Sequence, residues 1–224
     1  MNEIEIVESY TLYLKERNVK FFDDGFPKFK TEWFVSDLPS IIAPFNKRQY
    51  YLQRKKEISI CYFSKDEHLY PRLEKVYKEI DLLSDYHSVC MMDISMSPLM
   101  LDEVQRINLL LNLLFTCVIA VNGIKIIPSF RTGNFETVKL LARSIGNSKY
   151  WVMGSIGTQQ FTNNPYYEFL FRTKCMFIMP KTILSYGRTN IKTALCLKDY
   201  GIKLTEYKDF RSQSYSKEIY YERL

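Results

Sequence analysis

The stretch "SVCMMDISMSP", residues 88–98, has the composition of a buried strand that ends in polar residues. Its apolar first half is followed by Asp93 and Ser95 on alternate positions, and Pro98 ends the extended run. A lone buried carboxylate costs several kcal/mol unless it is paired, hydrogen-bonded or protonated. Asp93 is therefore expected to serve either as a local cap or as part of a functional site.

The sequence on both sides of this stretch alternates between strand-like and helix-like patterns. Runs of β-branched, aromatic and other apolar residues predict strands at about residues 38–45, 57–63, 89–94, 124–128, 151–155 and 176–179. Apolar residues at helical spacing predict helices at about residues 66–83, 101–121, 134–146, 166–174 and 189–199. Pro71 is expected in the first turn of the first of these helices or just before it.

The alternation of strands and helices predicts the fold class. Strands separated by helices of this length imply right-handed βαβ crossovers and a mainly parallel sheet. We therefore predict one α/β domain over residues 38–224, with a mainly parallel sheet and flanking helices, and an N-terminal extension over residues 1–37. The pattern leaves open whether the sheet is an open doubly wound sheet or a partial barrel.

The composition fits a folded protein with a modest basic charge. With 224 residues, 46% of them hydrophobic, the chain can build a large core. Lys and Arg exceed Asp and Glu by 31 to 25, a net charge of +6, which favours nucleic acid as a partner without requiring it. The 17 Tyr and 15 Phe residues suit either a stacking surface for bases or a large α/β core.

Cysteine usage and the apolar segments bear on the compartment. The five cysteines have no paired spacing, so we expect reduced thiols and neither a structural zinc site nor an oxidising compartment. The acidic N-terminus is not expected to be a signal peptide. The apolar run 107–121 is interrupted by Asn108, Asn112 and Thr116 and is too short to cross a bilayer. We expect a cytoplasmic protein with no membrane partner and no cofactor.

Polar residues follow five of the predicted strands. Ligand sites in parallel α/β sheets and barrels form outside the carboxyl ends of the strands, so these residues are expected to meet at one polar edge. The polar positions are Ser64, Lys65, Asp66, Asp93, Ser95, Ser97, Ser129, Arg131, Thr132, Ser155, Thr158, Gln159, Lys181, Ser185, Tyr186 and Arg188. The predicted catalytic residues are Asp93 and Ser95. The predicted ligand-binding residues are Asp66, Arg131, Thr158, Gln159 and Arg188.

Structural roles are open for some of these positions. Asp66 can cap the helix that follows it, and Arg131 can be an ordinary surface charge. A metal site would need clustered carboxylates, and because only Asp66 and Asp93 fall together, no metal is expected. Ser-His-Asp hydrolysis is not expected either, because His68 and His87 are predicted to lie away from the polar edge.

Six stretches, in order, carry a resemblance to a known family: IIAPFNK (41–47), ISICYFSKDE (58–67), MMDISMSPLMLDEVQRIN (91–108), NGIKIIPSFR (122–131), VMGSIG (152–157) and ILSYG (183–187). Together they resemble domain of unknown function 4417 (DUF4417), a family encountered in phages, prophages and other mobile elements of bacteria. The resemblance covers about residues 41–187. It implies a phage or mobile-element accessory protein in the cytoplasm of a bacterial host. It also implies two adjacent acidic residues after strand 58–63, where this sequence has Lys65 and Asp66.

Two hypotheses for function follow. The first is an enzyme that acts on nucleic acid or a nucleotide-like ligand and hydrolyses an N-glycosidic bond, with Asp93 as base or electrostatic stabiliser. In this scheme Ser95 and Thr158 position the ligand, and Arg131 and Arg188 meet phosphate. The second is a non-enzymatic accessory protein that binds a host protein or DNA.

Overall fold

Seven parallel strands and eight α-helices alternate along residues 2–154 and 164–215, the part of the chain that the computed structural model describes. The strands are β1 (Ile41–Pro44), β2 (Ile58–Cys61), β3 (Ser88–Cys90), β4 (Ile126–Ile127), β5 (Tyr150–Gly154), β6 (Thr182–Tyr186) and β7 (Lys203–Tyr207). The helices are α1 (Glu3–Glu16), α2 (Asp66–Leu73), α3 (Val76–Leu83), α4 (Asp102–Val121), α5 (Phe135–Ile145), α6 (Pro165–Ile178), α7 (Ile191–Asp199) and α8 (Phe210–Tyr215). Turns of 3₁₀ helix occur at Thr31–Trp33 and within Phe45–Glu57.

The strands are paired in sequential order, and every pairing between them is parallel. β1 to β4 form a four-stranded sheet, and β5 to β7 form a three-stranded sheet. A parallel bridge between Ser129 and Val152 joins the two, with the Phe130 amide donating to the Val152 carbonyl at 2.7 Å. A doubly wound sheet reverses its strand order at a switch point, whereas a barrel is wound in one direction. The predicted α/β class with a parallel sheet is confirmed, and its winding is that of a barrel.

The sheet curves around a shared interior. Side chains from the first six strands pack in one cluster, against which Tyr207 of β7 also packs. Side chains connect the two ends of this strand series. The hydroxyl of Tyr207, in β7, donates to the carbonyl of Pro39, just before β1, at 2.9 Å, and Nε2 of Gln213, in α8, donates to the carbonyl of Ile42, in β1, at 3.1 Å. The architecture is therefore a partial barrel, the second of the two predicted alternatives. A larger core fills the space between the strands and the surrounding helices.

The N-terminal segment packs onto this barrel. Asn2 caps α1 and forms a reciprocal capping box with Glu5. Tyr10 and Leu14 of α1 are buried in the same core as α4. Further along, the Val35 amide donates to the Ile126 carbonyl of β4 at 3.2 Å, and the Val35 side chain belongs to the barrel-interior cluster.

The segment predicted as one helix over residues 66–83 is two helices, α2 and α3. Pro71 is the sixth residue of α2, so the prediction of a first-turn proline was wrong. A proline inside a helix removes one backbone hydrogen bond and crowds the preceding turn. The chain leaves the helical conformation at Lys75, where φ is −116° and ψ is 20°, and α3 begins at the next residue.

The strand predicted at residues 176–179 was also wrong, because this stretch is the end of α6. Asn164 caps that helix, Pro165 opens it, and Met179 ends it in the left-handed conformation. Met176 is 55% exposed, so the apolar run does not mark a buried strand. The strand that follows α6 is β6, and β7 and α8 lie beyond the last of the predicted elements.

Helix α4 is the central core helix. It is long and apolar enough to cross a membrane, but most of its residues are buried inside the fold. All five cysteines are likewise buried and free of disulfides. Burial raises the pKa of the Cys90 thiol, in the barrel interior, and of the Cys175 thiol, on α6, to about 12.

A polar stripe on α4 holds residues 92–95 in place. Asn108, Asn112 and Thr116 are spaced four residues apart and therefore share one face of the helix. The Asn112 side chain accepts from the Ile94 amide at 2.9 Å and donates to the Ile94 carbonyl at 3.1 Å. Asn108 donates to the Ser95 carbonyl at 2.9 Å, and Thr116 Oγ1 accepts from the Met92 amide at 3.1 Å. These side chains replace a strand partner beyond the end of β3.

We expect Asn112→Leu to lower the free energy of unfolding by about 2–4 kcal/mol, because it leaves the buried amide and carbonyl of Ile94 without partners. Chemical denaturation monitored by circular dichroism measures the effect. Glu103→Leu, at an exposed position on the same helix, is the control and should change the free energy by no more than about 1 kcal/mol. Equal effects of the two variants would show that the hydrogen bonds to Ile94 are not a major support.

Candidate functional site

A cavity of about 410 Å³ lies at the carboxyl ends of the strands, in the mouth of the partial barrel. Its lining comes from the segments that follow β1 to β4 and from the ends of β5 and β6: Asn46, Phe63, Ser64, Lys65, His68, Asp93, Ser95, Arg131, Gly154 and Tyr186. The volume lies within the usual range for sites that bind small molecules. Three residues predicted for the site, Asp93, Ser95 and Arg131, are thus brought together on one cavity.

Asp93 is buried at this cavity, with 2% of its surface exposed. Its Oδ1 accepts a hydrogen bond from Ser129 Oγ at 3.2 Å and lies 3.0 Å from Arg131 Nε. The Arg131 Nε–H group does not have hydrogen-bond geometry, so the contact with Asp93 is an ion pair rather than an aligned hydrogen bond. The carboxylate is therefore held by two side chains from the end of β4 and not by the backbone of the following helix.

Burial raises the pKa of Asp93 from its ordinary value of 3.8 to about 6. The Arg131 charge and the Ser129 hydrogen bond lower the pKa, but desolvation is the larger effect, and the nearby charge of Asp66 also raises it. A carboxyl group with a pKa near the working pH can exchange a proton during a reaction, which is the property required of a general acid or base.

Arg131 and Ser95 complete the polar floor of the cavity. Arg131 Nη1 donates to Ser95 Oγ at 3.3 Å, and the Arg131 amide donates to Ser129 Oγ at 3.3 Å. The Ser95 amide donates to Asp66 Oδ1 at 3.0 Å. Asp66 is therefore the first residue of α2 and also a support for the backbone of Ser95, rather than a residue of the cavity wall.

Two aromatic rings form one wall of the cavity. The Phe63 and Tyr186 rings lie 5.8 Å apart at an interplanar angle of 32°. The Tyr186 hydroxyl accepts from the Phe210 amide at 2.8 Å, which fixes the ring against α8. Such a wall can stack against a planar ligand.

His68 lies on the cavity, so its predicted position away from the polar edge was wrong. It is the third residue of α2, and Ser64 Oγ contacts its Nδ1 at 3.2 Å. The connection from β2 (Ile58–Cys61) to α2 (Asp66–Leu73) is short, so the first turn of α2 lies near the strand end and His68 reaches the cavity. His87 does lie away from the cavity, just before β3, where it contacts Asp37 at 3.2 Å.

Lys174 is a buried lysine near the site that sequence reasoning missed. It is 2% exposed on α6, and its Nζ donates to the Phe130 carbonyl at 3.1 Å. Phe130 joins Ser129 to Arg131, so Lys174 supports the backbone between the two residues that contact Asp93. Burial lowers the pKa of Lys174 to about 7.

Three predicted site residues are left, and one of them, Arg188, lies within the described part of the chain. Thr158 and Gln159 fall outside the described residues. Arg188 is exposed in the turn after β6 and is not among the cavity-lining residues. Within residues 2–154 and 164–215, no group of three or more His, Cys, Asp or Glu side chains is arranged to hold a metal ion.

Two signals in the sequence could have identified the missed residues. Asn46 lies two residues after β1, whose end was left out of the predicted polar edge. Lys174 stands in the run "FLFRTKCMFI", 169–178, with Leu170 and Ile178 one helical turn away on the same face. A lysine flanked in this way is expected to be buried together with its neighbours.

Comparisons with known proteins bear on the family. No curated protein and no solved structure gives a significant match. A family model described as a domain of unknown function, DUF4417, matches residues 20–208, which includes part of the segment predicted as an N-terminal extension. Since this match spans most of the 224 residues, the chain belongs to the DUF4417 family.

Proposed function

We propose that this protein is a hydrolase that acts on a nucleotide-like ligand, free or within nucleic acid, and cleaves the N-glycosidic bond between sugar and base. The observation that carries the proposal is the buried carboxylate of Asp93, with a raised pKa, on a small-molecule-sized cavity at the strand ends. The resemblance to proteins of mobile elements suggests that the reaction takes place in the cytoplasm of a bacterial host.

The charge of the cavity supports an anionic ligand. Among the described residues that line it, Lys65 and Arg131 are basic and Asp93 is the carboxylate. Glu67, which pairs with Lys65 at 3.5 Å, lies outside this lining. Arg131 is suited to a phosphate because its guanidinium group can donate several hydrogen bonds in one plane. The Phe63 and Tyr186 rings offer a surface on which a base can stack.

The reaction requires two proton transfers, and the cavity contains a group for each. When the C–N bond breaks, the base leaves with the bonding electrons and takes up a proton, which His68 can donate. The sugar develops positive charge, which the Asp93 carboxylate stabilises. A water oxygen then bonds to the anomeric carbon and passes a proton to Asp93. In this proposal Ser95, whose hydroxyl accepts a hydrogen bond from Arg131, contacts the sugar.

One observation favours a second function, the binding of a ligand without turnover. The Asp93 carboxylate already has Ser129 and Arg131 as partners, and such contacts reduce its basicity relative to an unpaired buried carboxylate. In this case the cavity would recognise its ligand, and Asp93 would only position Arg131.

Asp93→Asn separates these two functions. The substitution keeps the size of the side chain and removes its charge, so we expect base release to fall by roughly 10²–10⁴-fold while ligand binding is retained. Chromatography of free bases released from nucleosides, nucleotides and single- and double-stranded oligonucleotides measures the effect.

Asp85→Asn is the matched control, since Asp85 is an exposed aspartate that pairs with Lys55. It should release bases at the wild-type rate. Binding without any base release by the wild-type protein would leave the second function in place. Absence of both binding and release would refute both functions.

The raised pKa of Asp93 also makes a prediction about stability. Because the folded-state pKa of about 6 exceeds the ordinary 3.8, the folded protein holds the proton more tightly, and this carboxyl group lowers stability as pH rises from about 4 to 6. Asp93→Asn removes that dependence. Its unfolding free energy relative to wild type should therefore increase by about 1 kcal/mol between about pH 5 and pH 7.5. Urea denaturation of both proteins at the two pH values measures this change. A difference in unfolding free energy between variant and wild type that is the same at both pH values would contradict the raised pKa of Asp93.

A further inference from the structure

A second cavity, of about 420 Å³, adjoins the first. Asn46 and His68 line both cavities, so the two meet at these side chains. The other lining residues of the second cavity are Phe45, Glu67, Pro71, Arg72 and Lys75. The two volumes are similar, which means that a ligand of two comparable units could occupy both.

Arg72 is held in a fixed position on this second cavity. Its Nη1 lies 2.7 Å from Oε1 of Glu79, which is 1% exposed, and its guanidinium carbon lies 4.9 Å from the centre of the Phe45 ring. Tyr62 also donates to Glu79, at 3.3 Å. A guanidinium plane that is fixed in this way is a stacking surface for a base.

The remaining charges also favour nucleic acid. Lys75 is exposed at the edge of the second cavity, between α2 and α3. Glu67 lies on the same cavity, but its Oε1 is 3.5 Å from Lys65 Nζ and 3.8 Å from His68 Nε2. The negative charge of Glu67 is thus offset by these two side chains, which lie on the side of the first cavity. Lys75 can therefore contact a phosphate.

We propose that the protein binds two consecutive nucleotides of a single strand. One base lies in the first cavity against Phe63 and Tyr186. The linking phosphate passes Asn46 at the junction of the two cavities, and the neighbouring nucleotide lies in the second cavity between Arg72 and Lys75. The inference rests on the proposed function and narrows its substrate to a single-stranded nucleic acid of at least a dinucleotide. A paired base could not stack on these walls without leaving its duplex.

A length series tests the inference by binding rather than by turnover. Nucleosides, nucleoside monophosphates, dinucleotides and trinucleotides, in deoxyribose and ribose forms, are titrated into the wild-type protein by calorimetry. We expect affinity to increase about tenfold or more from monophosphate to dinucleotide, because a second base gains a stacking surface, and to change little beyond that length.

Charge reversal of Lys75 tests whether the second cavity causes the increase in affinity from monophosphate to dinucleotide. Lys75→Glu should remove most of the gain for the dinucleotide, because a negative charge at the edge of the second cavity repels the phosphate that joins the two nucleotides. Monophosphate binding in the first cavity should stay unchanged, since Lys75 does not line that cavity. Lys78→Glu is the matched control, because Lys78 is exposed on α3 and does not line the cavity. We expect Lys78→Glu to bind the whole series as the wild type does.

The outcomes separate this inference from the proposed function. Base release from mononucleotides with no gain in affinity for dinucleotides would refute the two-nucleotide site and retain the hydrolase. An affinity that increases from nucleoside to monophosphate but not from monophosphate to dinucleotide is what the first cavity alone would produce, because Arg131 lies there, and it also refutes the two-nucleotide site. A dinucleotide gain that Lys75→Glu removes, without base release, would support the site and refute the hydrolase. No binding by any ligand would refute both.

Discussion

The hydrogen bonds from the polar stripe of α4 to residues 92–95 are the constraint on which the site depends. A strand end would normally be held by its neighbours in the sheet, but here the Ile94 backbone is paired with the Asn112 side chain. Because Asn112 is buried in the central helix, the segment cannot shift without breaking two buried hydrogen bonds. Asp93, next to Ile94, is therefore fixed in the mouth of the barrel before any ligand arrives, which is the form of preorganisation that catalysis and tight binding require.

The site joins elements that are distant in sequence, and each supports another. Asp66 at the start of α2 holds the amide of Ser95, and Ser129 and Arg131 after β4 hold Asp93. Lys174, on α6, holds the carbonyl between Ser129 and Arg131. This arrangement keeps a carboxylate and an amine in a poorly solvated place, where each is less stable in its charged form. Side chains with pKa values shifted in this way cluster at functional sites.

The sequence was sufficient for the parallel α/β class and for the grouping of Asp93, Ser95 and Arg131, because strand ends of a parallel sheet meet at one edge. It could not distinguish a helix end from a strand at residues 176–179, since short apolar runs fit both and only tertiary burial decides. In the sequence pattern, Asn108, Asn112 and Thr116 are recognisable only as interruptions of an apolar helix. Their partners are backbone groups more than ten residues away, and sequence periodicity carries no information on such contacts.

The burial of every cysteine has a consequence for the chemistry of the thiols. A thiol must be ionised and reachable to be oxidised or alkylated, and the buried thiols of Cys90 and Cys175 meet neither condition in the folded state. Modification of these residues must therefore wait for the protein to open. Cys90 lies inside the barrel and Cys175 on an outer helix, so their modification rates report the opening of two separate layers of the molecule. The cysteines therefore serve as internal probes of unfolding rather than as reactive groups of the folded protein.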